Sequence, residues 1–243
     1  MSRLRLADAA CLPDVWRVDE LAAQEAVLPS GHRLLDLQLP GGGWPVGSMV
    51  ELLQQRAGRH VWQLLLPVLA LAIRKHPGPV VLVGSPFEPF GPSLHAQGLP
   101  LDRLLCIRSE KAAPRLWAAE QALRCADVAA VLAWLPQSRS AELRRLHMAA
   151  QQHGRLLFVL RGIDARHEAS PARLRLLVGG VDLMELHILK RRGPPLETPL
   201  ALPAFPSRLA ALLEARKTRG TVVAPVLLTQ RKTHVLDRTA ALT

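Results

Sequence analysis

The sequence predicts an α/β protein with a mostly parallel central β-sheet covered by helices. Three observations lead there. Short, almost wholly apolar runs at 80–83, 104–107, 128–135 and 156–160 have the character of strands buried on both faces. Segments with apolar residues at helical spacing stand between them, at 62–75, 112–125 and from about 140 to 153. With 49% hydrophobic residues in 243, the chain can bury a core of ordinary single-domain size, built from Leu, Val and Ala because aromatics are only 4%.

Taken in order, residues 1–27 suggest a helix capped by Asp14, with Val15, Trp16, Val18, Leu21 and Ala22 apolar. Ser30-Gly31 opens a short amphipathic segment, and Gly41-Gly42-Gly43 makes a turn. Residues 47–53 follow as a buried strand, then a loop containing Gly58. An apolar helix starts near His60, with Pro67 expected to kink or start it. After the strand at 80–83 comes a proline-rich loop, 84–92, and a short helix at 93–97. Later come the strand at 104–107, the helix at 112–125 and the strand at 128–135. Ser138 or Ser140 is expected to cap the next helix, with Glu142 in its first turn. Beyond the strand at 156–160 lies a polar loop, 161–171. Two late strands, 174–178 and 183–189, end in Lys190-Arg191-Arg192. Residues 196–206 are a proline-punctuated linker, 207–217 a short helix, and the tail is basic with an apolar patch at Val226, Leu227 and Leu228.

Strand, loop and helix over 47–75 form the context of a phosphate loop. That loop requires G-x-x-x-x-G-K-[ST]: glycines expose backbone N–H groups, lysine neutralises phosphate, and the hydroxyl holds Mg²⁺. The corresponding positions here are Gln54, Gly58, Arg59, His60 and Val61, with no first glycine, no Gly-Lys pair and no hydroxyl. The strand at 128–135 ends in Trp134-Leu135, where an ATPase needs an aspartate to orient Mg²⁺. The phosphate loop is therefore degenerate, and neither ATPase activity nor a cofactor is expected.

The order Ser30-Gly31, Asp36, Gly41-Gly42-Gly43-Trp44-Pro45-Val46-Gly47, Val50-Glu51-Leu52 resembles the entry to the RecA recombinase core. Gly98-Leu99-Pro100-Leu101-Asp102-Arg103-Leu104-Leu105-Cys106 is similar to the segment after that core's second strand. The resemblance covers about residues 28–195, and the nearest family is ImuA, RecA-like proteins of SOS mutagenesis with an eroded nucleotide site. It implies a RecA-like core at 28–205, an N-terminal interaction arm at 1–27, and a basic C-terminal helix and tail at 206–243. A catalytic glutamate of the RecA type would fall on Pro86, with Glu88 two residues off register and readable as a surface acid.

Net charge is +11, with 31 Lys and Arg against 20 Asp and Glu, mostly arginine. Arginine pairs bidentately with phosphate and carboxylate, so nucleic acid or an acidic partner is expected. Phosphate-contacting candidates are Arg161 and Arg166 in the polar loop, Arg173 and Arg175 around the first late strand, and Lys190, Arg191 and Arg192. A solvated loop and a charge-protected edge strand are the plainer alternatives. Trp16, Leu21, Val226, Leu227 and Leu228 are candidates for protein contact. Cys11, Cys106 and Cys125 make neither a metal pair nor a disulfide framework, and His153 and His167 lack ligand spacing, so no metal site is expected. No signal-type or spanning segment is visible, and a cytoplasmic, nucleoid-associated protein is expected.

The ImuA resemblance implies a non-catalytic accessory protein in SOS-induced translesion synthesis. Its partners would be single-stranded DNA, RecA, ImuB and an error-prone replicative polymerase subunit. A second family also resembles RecA without a working nucleotide site: SulA, which inhibits cell division by capping FtsZ. It would need no contact with DNA.

Overall fold

The structure is a computed structural model and describes residues 26–58 and 60–220. The chain divides into two compact units, 1–204 and 205–243. Among the described residues the first holds ten strands. A two-stranded antiparallel ribbon joins β1 (Val27–Leu28) to β2 (Trp44–Pro45). The main sheet has eight strands: β3 (Ser48–Gln54), β4 (Val80–Val83), β5 (Leu104–Ile107), β6 (Ala130–Trp134), β7 (Leu156–Gly162), β8 (Leu174–Gly179), β9 (Leu183–Lys190) and β10 (Leu200–Pro203). Their order is β10-β9-β8-β3-β7-β6-β4-β5. From β8 to β5 all neighbours are parallel, while β9 runs antiparallel to both β8 and β10.

Among the described residues five helices belong to this unit: α1 (Arg33–Asp36), α2 (Val61–Lys75), α3 (Gly91–Ala96), α4 (Ala112–Arg124) and α5 (Ser140–His153). Parallel neighbours need crossover connections, and α2, α4 and α5 provide them. On one face of the sheet, Val50, Leu52, Leu132, Phe158 and Leu176 pack with Leu64, Leu65 and Leu69 of α2. Trp44 closes that layer, fully buried, with its ring edge-on to Phe158 at 5.4 Å. On the other face Met49, Val81, Val131, Leu157 and Val159 pack with Leu116 and Leu123 of α4 and Leu143 and Leu146 of α5. The central strands are apolar on both sides because both sides are covered.

Pro67 lies inside α2 without ending it. A helical proline has no N–H for the carbonyl four residues earlier. That carbonyl, Gln63 O, is taken by His32 Nε2–H at 3.1 Å. The Pro67 ring approaches Gly31 closely: a Cβ at Gly31 would fall 2.4 Å from Pro67 Cβ, and Gly31 sits at φ +82°. The last carbonyls of α2 and its exit are held by Arg103, which donates to His76 O at 3.0 Å and Gly78 O at 2.9 Å.

Several sequence expectations need adjustment. Residues 200–203, placed in the linker, form β10 against β9. Residues 163–167, placed in a polar loop, form a 3₁₀ turn with Ala165 buried. The helix expected to be capped by a serine has Arg139 at its N-cap, whose N–H donates to Glu142 Oε2 at 2.8 Å. The second unit contains α6 (Ser207–Gly220).

Candidate functional site

Ligands of open α/β sheets bind outside the carboxyl ends of the strands. That end carries a crevice of about 310 Å³. It is lined by Gln54 at the end of β3, Ala57 beyond it, Pro86 after β4, Trp134 and Pro136 at the end of β6, and Arg161 of β7. Of the degenerate loop positions, Gln54 lines it. Gln54 is buried at the strand end. Gly58, at φ +82°, lies under the Phe87 ring, which a Cβ there would meet at 2.9 Å. His60 is left-handed at φ 60° and donates from Nε2 to Gly180 O at 3.1 Å. Val61 is 1% exposed and part of the core. Arg59 lies outside the described residues. Among the lining residues Trp134 Nε1–H and Arg161 Nε–H are buried donors with no hydrogen-bond partner among the described residues. Glu88 pairs with Arg108 at 3.1 Å on the surface, both side chains largely exposed. No group of three His, Cys, Asp or Glu suited to a metal ion occurs among the described residues.

Two of the proposed phosphate-contacting arginines are internal. Glu51, fully buried in mid-strand β3, accepts from Arg175 Nε at 2.6 Å and from Arg161 Nη1 at 3.1 Å. Register explains the meeting: Arg175 lies directly opposite Glu51 on β8, and Arg161 lies opposite Leu53 on β7. Arg161 also donates to Glu168 Oε2 at 2.7 Å and Ser138 O at 3.1 Å. Arg175 donates to Ala165 O at 2.8 Å in the 3₁₀ turn. Two guanidinium groups thus face two carboxylates, and both arginines are over nine-tenths buried. They cannot reach a phosphate backbone, which corrects their assignment. The visible signal was Glu51 itself, a lone acid in an apolar strand, which requires a buried partner.

The remaining candidates separate. Arg166 is exposed on the 3₁₀ turn. Arg173, Lys190, Arg191 and Arg192 gather around one cleft, at the amino end of β8 and the carboxyl end of β9. Trp16, Leu21, Val226, Leu227 and Leu228 lie outside the described residues.

Sequence reasoning did not single out the apolar surface beside the sheet edge at β5. Phe87 is 64% exposed and Phe90 72%, and Leu101 and Leu105 are exposed as well. Leu101 packs on Gly91 at the start of α3, next to Phe90. Phe87 lines a shallow hollow together with Cys106 and Ile107 of β5. The Cys106 thiol is pushed up from its ordinary pKa by burial, which Arg108 partly opposes.

Comparison with known proteins marks the same region. The family model described as cell division inhibitor SulA matches residues 85–157. This stretch runs from the loop after β4 through α3, β5, α4, β6 and α5 into β7. A cell division inhibitor SulA of Edwardsiella piscicida is 32% identical over 107 residues, 44% of this chain and 64% of that protein. A second SulA, of Photorhabdus laumondii, is 33% identical over 90 residues, 37% of this chain and 48% of that protein. The chain therefore spans about half to two thirds of the length of these relatives. The likeness to ImuA is overturned, because the family model and both relatives carry the SulA name. With it goes the assignment to translesion synthesis and mutagenesis, with DNA, RecA, ImuB and an error-prone polymerase subunit as partners. Among the described residues no helix is long and apolar enough to cross a membrane.

Proposed function

We propose that the protein is a SulA-type inhibitor of cell division that acts on FtsZ by binding, without a catalytic step. The observation that carries this is the coincidence of two regions. The stretch resembling SulA, residues 85–157, contains all four exposed apolar side chains beside β5. Large exposed apolar side chains in such a cluster mark a protein-contact surface, and burying a phenylalanine stabilises a complex by roughly 1.5–3 kcal/mol. The core is of the RecA kind with its phosphate loop lost. The β3–loop–α2 unit and the crevice at the strand ends support this, and the loop lacks lysine and hydroxyl at the required positions.

The test is GTP-driven assembly of purified FtsZ, followed by sedimentation and GTP hydrolysis, with this protein added. Assembly falls as the protein approaches equimolar amounts. The doubly substituted Phe87→Ser/Phe90→Ser variant loses most of the effect while keeping the wild-type melting temperature. Normal FtsZ assembly in a severalfold excess of folded protein would remove the proposal.

A further inference from the structure

The loop at 84–92 is exposed but tied down. Gly84 N–H donates to Ile107 O of β5 at 2.9 Å. Ser85 Oγ donates across Pro86 to Phe87 O at 2.7 Å. Pro86 lines both the crevice at the strand ends and the hollow against β5, so it joins the two. Glu88 pairs with Arg108 on the surface. The backbone that carries Phe87 is therefore held, while the residue itself is 64% exposed.

A held backbone still leaves an exposed ring its choice of rotamers, and fixing one of them on binding costs free energy. Gly58 supplies the missing restraint. A Cβ there would fall 2.9 Å from Cδ2 and 3.1 Å from Cε2 of Phe87. One edge of the ring thus occupies the space that a side chain at 58 would take. The support is itself anchored at both ends. β3 runs into it paired with β7 and β8 as far as Gln54, and His60 beyond it bonds Gly180 O at 3.1 Å. The loop from β3 to α2 does not spell the phosphate-loop pattern, yet it places a left-handed glycine, φ +82°, against an aromatic ring.

We infer that Gly58 is a positioning residue for partner binding: its bare Cα seats the Phe87 ring in the orientation that FtsZ meets. This rests on the reading of the surface beside β5 as the FtsZ contact. It adds to that contact a residue outside 85–157, the stretch that resembles SulA. Because Phe87 is mostly exposed, a side chain at 58 turns the ring toward water rather than into the core. Binding then weakens while the fold is kept. Losing the preorganisation of one ring corresponds to roughly three- to tenfold in affinity.

The experiment measures the affinity of the full chain for purified FtsZ by titration calorimetry, together with its melting temperature. Gly58→Asn adds a Cβ, and asparagine tolerates a left-handed backbone. Gly154→Asn makes the same change at φ +59°, where nothing lies within 4 Å of the added atom. Gly58→Asn is expected to weaken binding by roughly three- to tenfold and Gly154→Asn by less than about twofold, with similar melting temperatures. In a Phe87→Ala background Gly58→Asn has no further effect, since the ring that it displaces is gone. In the free wild-type protein a nuclear Overhauser contact joins the Gly58 α-protons to the Phe87 ring. Wild-type affinity in Gly58→Asn, equal weakening with and without Phe87, or absence of that proton contact would each overturn the inference and leave the FtsZ reading standing. Wild-type affinity in Phe87→Ala would take Phe87 out of the contact and the inference with it. A wild-type chain that does not bind FtsZ at all would remove both.

Discussion

Removing the Glu51 carboxylate tests the buried charge cluster. At an effective dielectric near 20, each guanidinium about 4 Å from the carboxylate attracts it by roughly 4 kcal/mol. Two such contacts, at 2.6 and 3.1 Å, give roughly 8 kcal/mol gross. Desolvation of each ion, several kcal/mol, offsets much of that. Glu51→Ala leaves two arginines, both over nine-tenths buried, facing only Glu168, so the cluster passes from neutral to a net positive charge. Breaking such a pair from one side costs about 3–5 kcal/mol. For a domain of this size that lowers the melting temperature by roughly 6–20 °C. Urea unfolding followed by circular dichroism measures it directly. The triple variant Glu51→Leu/Arg161→Met/Arg175→Met, which removes every unpaired charge except the half-exposed Glu168, is expected to lose less than Glu51→Ala alone. A Glu51→Ala protein within about 1 kcal/mol of wild type, or a triple variant that loses the sum of three singles, would refute the reasoning.

Three further outcomes follow from local geometry. Gly31→Ala combines a left-handed backbone with a Cβ 2.4 Å from Pro67 Cβ, and is expected to cost about 2–4 kcal/mol by the same urea assay; a neutral result would mean that the segment does not hold its place against α2. His147 has its pKa depressed below 6.5, so the unfolded chain binds the proton more readily. Stability is therefore full above about pH 6.5 and falls as pH drops through that value; the fall is smaller in His147→Gln, and identical pH profiles for the two proteins would exclude His147 as the source. Cys106, with its pKa raised above 9.0, is expected to react with iodoacetamide at pH 8 more slowly than a free thiol, and Arg108→Gln is expected to slow it further, since Arg108 is the group that lowers that pKa. An Arg108→Gln protein that is alkylated faster would reverse that assignment.

The apolar strands and their helices were legible because burial on both faces writes itself as continuous hydrophobic runs. Residues 80–83 and 104–107 form strands with those bounds, and α2 and α4 start and end within a residue of the expected positions. The short pieces were not legible. β1 and β2 have two residues each, one of them a proline, and β10 carries a proline at its end, so their pairing comes from neighbours distant in sequence. That residues 54–61 do not spell the phosphate-loop pattern could be read directly, since that pattern depends on residue types at fixed spacing. Which cations stay exposed could not. Arg161 and Arg173 look alike in sequence, but one faces Glu51 inside the sheet and the other lines an open cleft. Only strand register separates them. The apolar surface beside β5 was missed for a related reason: Phe87 and Phe90 sit in a proline-rich loop, where sequence does not say whether an aromatic ring turns inward.

Gly31 and His32 both answer to Pro67 of α2, for different reasons. Pro67 withholds the N–H that Gln63 O would otherwise receive, His32 supplies a substitute, and Gly31 leaves room for the Cβ of residue 67. An alanine at 67 would restore the helical bond and make the histidine dispensable, but it keeps the Cβ that a side chain at 31 would meet at 2.4 Å. Position 31 stays closed for as long as residue 67 carries a Cβ. The two constraints therefore part company: the histidine answers to the proline ring, whereas the glycine answers to how closely α2 approaches the segment that leads into it.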